Sequence, residues 1–155
     1  MTEIVHTHVP FHFFVPLPFE KAAPLFGAWA EKSWEPGWDP TFLFPAPPAD
    51  QEGAVFTVSH GPGHDSTWVN TAFDLAAGHV QYVVFQDGTI VTRIDIHLTR
   101  EGEDRTEVSV VYERTALVPS ANTHVDELAR GDREKAPAWQ KAIETYARTL
   151  EPDAR

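Results

Sequence analysis

The stretch "HVQYVVFQDGTIVTRIDIHLT", residues 79–99, places two runs of β-branched and aromatic residues on either side of Asp87-Gly88. Asp-Gly favours a two-residue hairpin turn, because both central residues of a type I′ turn need positive φ. Beyond the turn the pattern has a period of two. Ile90, Ile94, Ile96 and Leu98 share one parity, and Val91, Arg93, Asp95 and His97 share the other. One face is therefore apolar and the other largely polar, as in a half-buried antiparallel strand. A two-residue turn sets Gln86 opposite Thr89, Phe85 opposite Ile90, Val83 opposite Thr92 and Gln81 opposite Ile94. In that register Phe85, Val83 and Gln81 face the core, and Tyr82 pairs with Arg93 on the solvent face.

Strands continue in both directions. Upstream, "TFLF" (41–44), "AVFTVSH" (54–60) and "STWVNTAFD" (66–74) read as strands, separated by a proline-rich loop and the turn "GPGHD" (61–65). Downstream, "REGED" (100–104) turns the chain into "TEVSVVYERTALV" (106–118). Residues 4–15 add an opening strand. Residues 16–32 read as one or two short helices, with Pro18 and Pro24 suited to first helical positions. "EPGW" (35–38) is a turn, bracketed by Trp34 and Trp38 as packing anchors. Residues 120–150 are helical: Trp139, Ile143, Tyr146 and Leu150 form one apolar stripe, with Pro137 near the start. A sheet with one apolar face needs a cover, and this terminal helix is long enough to lie across it. The short helices cannot fill the remaining space, which predicts a hollow between sheet and helix.

The predicted lining follows from strand parity. A four-residue loop "LAAG" (75–78) sends Ala72, Asn70 and Trp68 inward, whereas a slip of one residue substitutes Phe73, Thr71 and Val69. On the last strand the inner set is Val108, Val110, Tyr112 and Arg114. An inward arginine requires a ligand carboxylate or a protein acid, and the alternative lays Arg114 along the rim with its head in water. The candidate ligand-binding residues are thus Trp68, Asn70, Gln81, Tyr112, Arg114 and Trp139, an aromatic set with few polar handles.

Composition narrows the function classes. The 155 residues suit one domain, and 42% are hydrophobic. Five tryptophans and ten phenylalanines suit either a thick core or an apolar site. A net charge of -11 opposes binding to nucleic-acid phosphates and anionic membranes. There is no cysteine, which removes thiol chemistry and a disulfide scaffold. No apolar run approaches the ~20 residues of a spanning helix. The opening residues lack the basic and apolar regions of a signal peptide, so a cytoplasmic location is expected.

Histidines raise the question of a metal. His6, His8 and His12 share a parity, but residues i and i+4 on a strand lie ~13 Å apart, too far for one ion. Two ligands fall short of the three or four of a zinc site, and Val5, Val9, Phe11, Phe13 and Val15 claim the inner face. These histidines therefore face solvent, and neither a metal nor a cofactor is expected. His60 has the parity of Phe56 and Val58, which places it at the mouth of the hollow as the candidate general base. No carboxylate accompanies it in sequence, so a histidine ending a turn is the simpler reading. Dinucleotide, phosphate-loop, HExxH and GxSxG patterns are missing from the sequence.

The order of elements, together with "EKSWEPGWDP" (31–40), "GAVFTV" (53–58), "STWVNTAFD" (66–74) and "VYERTALV" (111–118), resembles a bacterial branch of the SRPBCC, or START-like, superfamily. The resemblance covers roughly residues 5–150. It implies an α+β helix-grip fold: a curved seven-stranded antiparallel sheet wrapped around a long C-terminal helix, with two short helices after the first strand. It also implies a single ligand-binding domain over 1–155 that takes a small hydrophobic or aromatic molecule. Some members of the superfamily are polyketide cyclases and others activate a chaperone ATPase. It has no universal catalytic motif, so no catalytic residue transfers by position.

Overall fold

The computed structural model describes residues 3–150. Strands β1 (His6–Val15), β2 (Thr41–Phe44), β3 (Val55–Ser59), β4 (Asp65–Asp74), β5 (His79–Gln86), β6 (Ile90–Gly102) and β7 (Arg105–Ala116) form one antiparallel sheet. Their order is β1-β7-β6-β5-β4-β3-β2. Every neighbouring pair except β1–β7 is consecutive in sequence, so the sheet is a meander closed by its first strand.

The inner face of β1 carries Val9, Phe13 and Val15, all buried, while His6, His8 and His12 are exposed as their parity predicts. Pro18 precedes α1 (Phe19–Ala22), and Pro24 opens the 3₁₀ turn Ala23–Phe26, where a missing N–H costs nothing. A second 3₁₀ turn spans Ala30–Ser33. The Asp50 carboxylate caps it from the following loop, accepting from the backbone N–H of Trp29 at 2.7 Å and of Ala30 at 3.0 Å. Gly27 makes this possible: a Cβ there would meet the Asp50 carboxyl at 2.3 Å. Trp34 and Trp38 donate their indole N–H to the carbonyls of Leu25 and Ala28, both at 2.7 Å, and so tie the connector to the short helices.

The C-terminal segment is two helices, α2 (Asn122–Asp132) and α3 (Lys135–Leu150). Pro137 sits in the first turn of α3, where the break makes its missing donor harmless. The buried stripe of α3 is Trp139, Ile143 and Ala147, with Tyr146 beside it. Leu150, expected in the stripe, is 48% exposed and lies outside it.

The central hairpin departs from its predicted register by one residue. Asp87 and Gly88 do adopt positive φ, at 51° and 65°. Thr89 is nevertheless left in the loop, so Gln86 pairs with Ile90, Tyr82 with Ile94 and Gln81 with Asp95. There the Thr89 N–H closes the turn onto the Gln86 carbonyl at 2.9 Å, and its own carbonyl accepts from the N–H of Leu117 at 2.7 Å. The slip turns Val80, Tyr82 and Val84 inward, and Val83 and Phe85 outward. Tyr82 is therefore buried rather than paired with Arg93 on the solvent face, and its hydroxyl donates to the carbonyl of Phe26 at 2.6 Å.

Strand β4 follows the first alternative as far as Asn70 and the second only at Phe73, since Ala72, Thr71 and Val69 are not part of the core. The loop does span residues 75–78, and a bulge between Asn70 and Ala72 changes the parity midway. Trp68 and Asn70 face inward before the bulge, and Phe73 packs on the core after it.

Candidate functional site

Between the inner face of the sheet, the connector after β1 and α3 lies a cavity of about 310 Å³. Its walls include five aromatic residues: Trp38, Trp68, Tyr82, Tyr112 and Trp139. Trp38 and Trp68 meet edge to face at 5.3 Å between centroids, and Trp68 and Tyr82 at 5.7 Å. Across the hollow, Tyr112 and Trp139 meet at 6.2 Å. Val84, Ile94 and Ile96 supply the aliphatic floor. All but Trp38, which comes from the connector before β2, sit at inward positions of β4 to β7 or on the α3 stripe, so the alternation that folds the sheet also builds most of the walls.

The candidate residues divide on this geometry. Trp68, Tyr112, Arg114 and Trp139 all line the cavity. Asn70 points inward and is buried, but lies outside the lining, and its Oδ1 has no hydrogen-bond partner. Gln81 is on the outer face, a consequence of the register slip. There it accepts from the Thr71 hydroxyl at 2.8 Å and donates to Asp95 at 3.0 Å. His60 reaches the rim, with Nε2 2.8 Å from the Ser66 hydroxyl. The same hydroxyl accepts the Trp68 indole N–H at 2.8 Å.

Arg114 is buried rather than laid along the rim, and its partner is a protein acid. Nε and Nη2 each donate to Asp132, at 2.7 Å, and Nη1 donates to the Thr92 hydroxyl at 3.2 Å. This is the two-pronged guanidinium–carboxylate geometry that a buried charge requires. Lys135 adds a second cation to the same carboxylate at 3.0 Å and lies 4.9 Å from the centroid of the Tyr112 ring.

Three charged residues of the lining escaped the reading of the sequence: Glu31, Glu35 and Lys135. Glu31 keeps some surface open to the hollow, but protein surrounds its carboxyl. Burial pushes its pKa well up, and the charges of Glu35 and Asp50 add to the effect. Burial also raises Glu35, against the opposing pull of Lys135 and the Trp139 indole. Tyr82 and Tyr112 are pushed up by burial as well, so both hydroxyls stay protonated. The readable signal was the four-residue spacing of the two glutamates within "AEKSWEPGW" (30–38), acids set among tryptophans.

On the opposite face of the sheet, His79, Asp95 and His97 form one group whose ligand atoms all lie within 4.8 Å of one another. It is the one cluster of three or more potential metal ligands among the described residues. The same face carries Arg93 hydrogen-bonded to Glu113, and the slip adds Val83 and Phe85, making it less polar than the sequence implied.

An α+β sheet of seven antiparallel strands, closed over a C-terminal helix with a hollow between them, defines the helix-grip class. Solved structures bear this out. Norcoclaurine synthase from Thalictrum flavum, in complex with dopamine and hydroxybenzaldehyde, superimposes with a TM-score of 0.70 at 14% identity, covering 97% of this chain and 91% of its own. Ara h 8.0201 gives 0.63 at 17% identity, over 94% and 99%. The ZhuI aromatase/cyclase from Streptomyces sp. R1128 gives 0.66 at 12%, over 95% and 97%. No protein-family model matches the sequence, and neither does any curated protein. At these identities the likeness establishes the helix-grip fold.

Proposed function

We propose that the chain binds a small aromatic molecule in the cavity beneath α3. The observation that carries this reading is a cavity of about 310 Å³ with five aromatic residues in its walls. Close-packed interiors leave few voids larger than a water molecule, so a space of this size suits a ligand. It lies at the small end of the ~300–1,000 Å³ seen for ligand sites, which favours a compact ring system over a sterol or lipid chain. Trp68, Tyr112 and Trp139 supply ring contacts, while Arg114 is committed to Asp132 and so shapes the wall.

The test is titration of the purified protein with aromatic amines, phenols and flavonoids, followed by tryptophan fluorescence. Saturable quenching is expected for at least one class, with Trp68→Ala weakening it about tenfold, the ~1.4 kcal/mol of a lost aromatic contact. Quenching by none of the three classes, or quenching that Trp68→Ala leaves intact, overturns the reading.

One observation favours an enzyme of the cyclase or dehydratase kind in the same cavity. Glu31 holds its proton to a higher pH than an ordinary carboxyl, as a general acid must, and it shares the lining with His60 and Tyr112. Turnover of a polyketide-like substrate that survives Glu31→Gln, His60→Ala and Tyr112→Phe would exclude it. An adaptor acting on a chaperone ATPase would instead use the outer face, where exposed Arg93 and His97 oppose a broad apolar contact.

A further inference from the structure

We infer that His79, Asp95 and His97 form a binding site for a divalent transition-metal ion on the outer face of the sheet. The register places His79 directly opposite His97, and Gln81 opposite Asp95. The two imidazoles stack with centroids 4.3 Å apart and planes 6° from parallel. Both turn Nε2 to the same carboxylate: His79 Nε2 is 2.7 Å from Asp95 Oδ1, and His97 Nε2 is 3.1 Å from Oδ2.

Without a metal, this arrangement needs a proton on each Nε2 to satisfy the carboxylate. When a divalent ion binds, each neutral imidazole takes its other tautomer, with its single ring proton on Nδ1, so that both Nε2 lone pairs and the carboxylate share one positive centre. Metal–ligand bonds of ~2.0–2.2 Å in a tetrahedral shell set the ligand atoms roughly 3.4 Å apart, so an ion needs only a slight opening of the two His–Asp contacts in a group that already lies within 4.8 Å.

Two features make the site prepared rather than fortuitous. The ligands project from paired strands, which hold them more firmly than loops do. The carboxylate is also oriented from behind: Gln81 donates to Asp95 Oδ1 at 3.0 Å and is itself held by the Thr71 hydroxyl at 2.8 Å. Two imidazoles and one carboxylate select zinc, copper(II) or nickel(II) over calcium or magnesium, which prefer all-oxygen shells. The half-exposed position leaves the remaining coordination sites to water.

Calorimetric titration of the tag-free, chelator-treated full chain with zinc chloride at pH 7.5 tests this. One equivalent of zinc is expected to bind and to raise the thermal midpoint, while calcium does neither. His97→Ala and Asp95→Asn should each weaken binding at least about tenfold. His6→Ala, on the same face but outside the group, should leave it unchanged. Failure of zinc to bind at pH 7.5, binding that survives both His97→Ala and Asp95→Asn, or binding lost with His6→Ala overturns the inference. Both variants alter partly exposed side chains, and an unchanged circular-dichroism spectrum distinguishes loss of the metal from loss of the fold.

Discussion

Asp132 and Glu31 are both carboxylates enclosed by protein within the field of Tyr112, yet they occupy opposite electrostatic settings. Where α2 ends against β7, Asp132 receives two bonds from Arg114 and one from Lys135. Where the connector after β1 meets the cavity, Glu31 has Glu35 and Asp50 as its charged influences, both acids. The first region is neutralised and acts as a clasp between helix and sheet. The second holds a carboxyl whose ionisation the fold opposes, a common mark of chemistry or of recognition.

The contrast can be broken by variants. Asp132→Ala strands the buried guanidinium, so a loss of about 3–5 kcal/mol is expected in urea denaturation. Glu31→Gln removes a charge the interior resists, so stability at pH 7 should hold or rise. Equal losses in the two variants would dissolve the distinction. Tyr82→Phe leaves the carbonyl of Phe26 without its donor and should cost about 1–2 kcal/mol, which tests whether the connector is anchored independently of either acid.

The pH dependence sharpens the comparison further. Glu31 is an acid whose folded value lies above its ordinary 4.5, so the folded chain holds this proton more tightly than the unfolded chain. Below 4.5 both states are protonated and the contribution is intact. As pH rises from 4.5 through the higher folded value, stability falls, and beyond that value it levels off. Chemical denaturation across this range should show the decline in the native chain, and a shallower one in Glu31→Gln. The smallest effect belongs to the outer face: Arg93 is half exposed beside Glu113, and Arg93→Ala should change stability by less than about 1 kcal/mol.

Strands with one polar face were legible in the sequence, and those apolar on both faces were not. β1, β6 and β7 alternate clearly, and their inward residues, including Tyr112 and Arg114, follow from parity. β5 carries Val80, Tyr82 and Val84 on one parity and Val83 and Phe85 on the other, so hydrophobicity could not choose between registers. The choice fell to the turn, whose last residue, Thr89, is bonded to Leu117, 28 residues further along. Gln81 was misplaced for that reason. β4 posed the same ambiguity, and its bulge resolved it both ways. Glu31, Glu35, Asp132 and the His79–Asp95–His97 group depend on which elements meet in space. No spacing along the chain announces that Asp132 completes Arg114.

The topology leaves β1 dependent on β7 alone, from His6 opposite Thr115 to Val15 opposite Thr106. A chain emerging from the ribosome thus extrudes Val9, Phe11, Phe13 and Val15 well before their hydrogen-bonding partner has been synthesised. Pairing so distant in sequence is slow, and unsheltered apolar strands invite association. Nascent chains stalled short of β7 should therefore cross-link to holdase chaperones through residues 9–15, and the cross-links should disappear once residue 116 has cleared the exit tunnel.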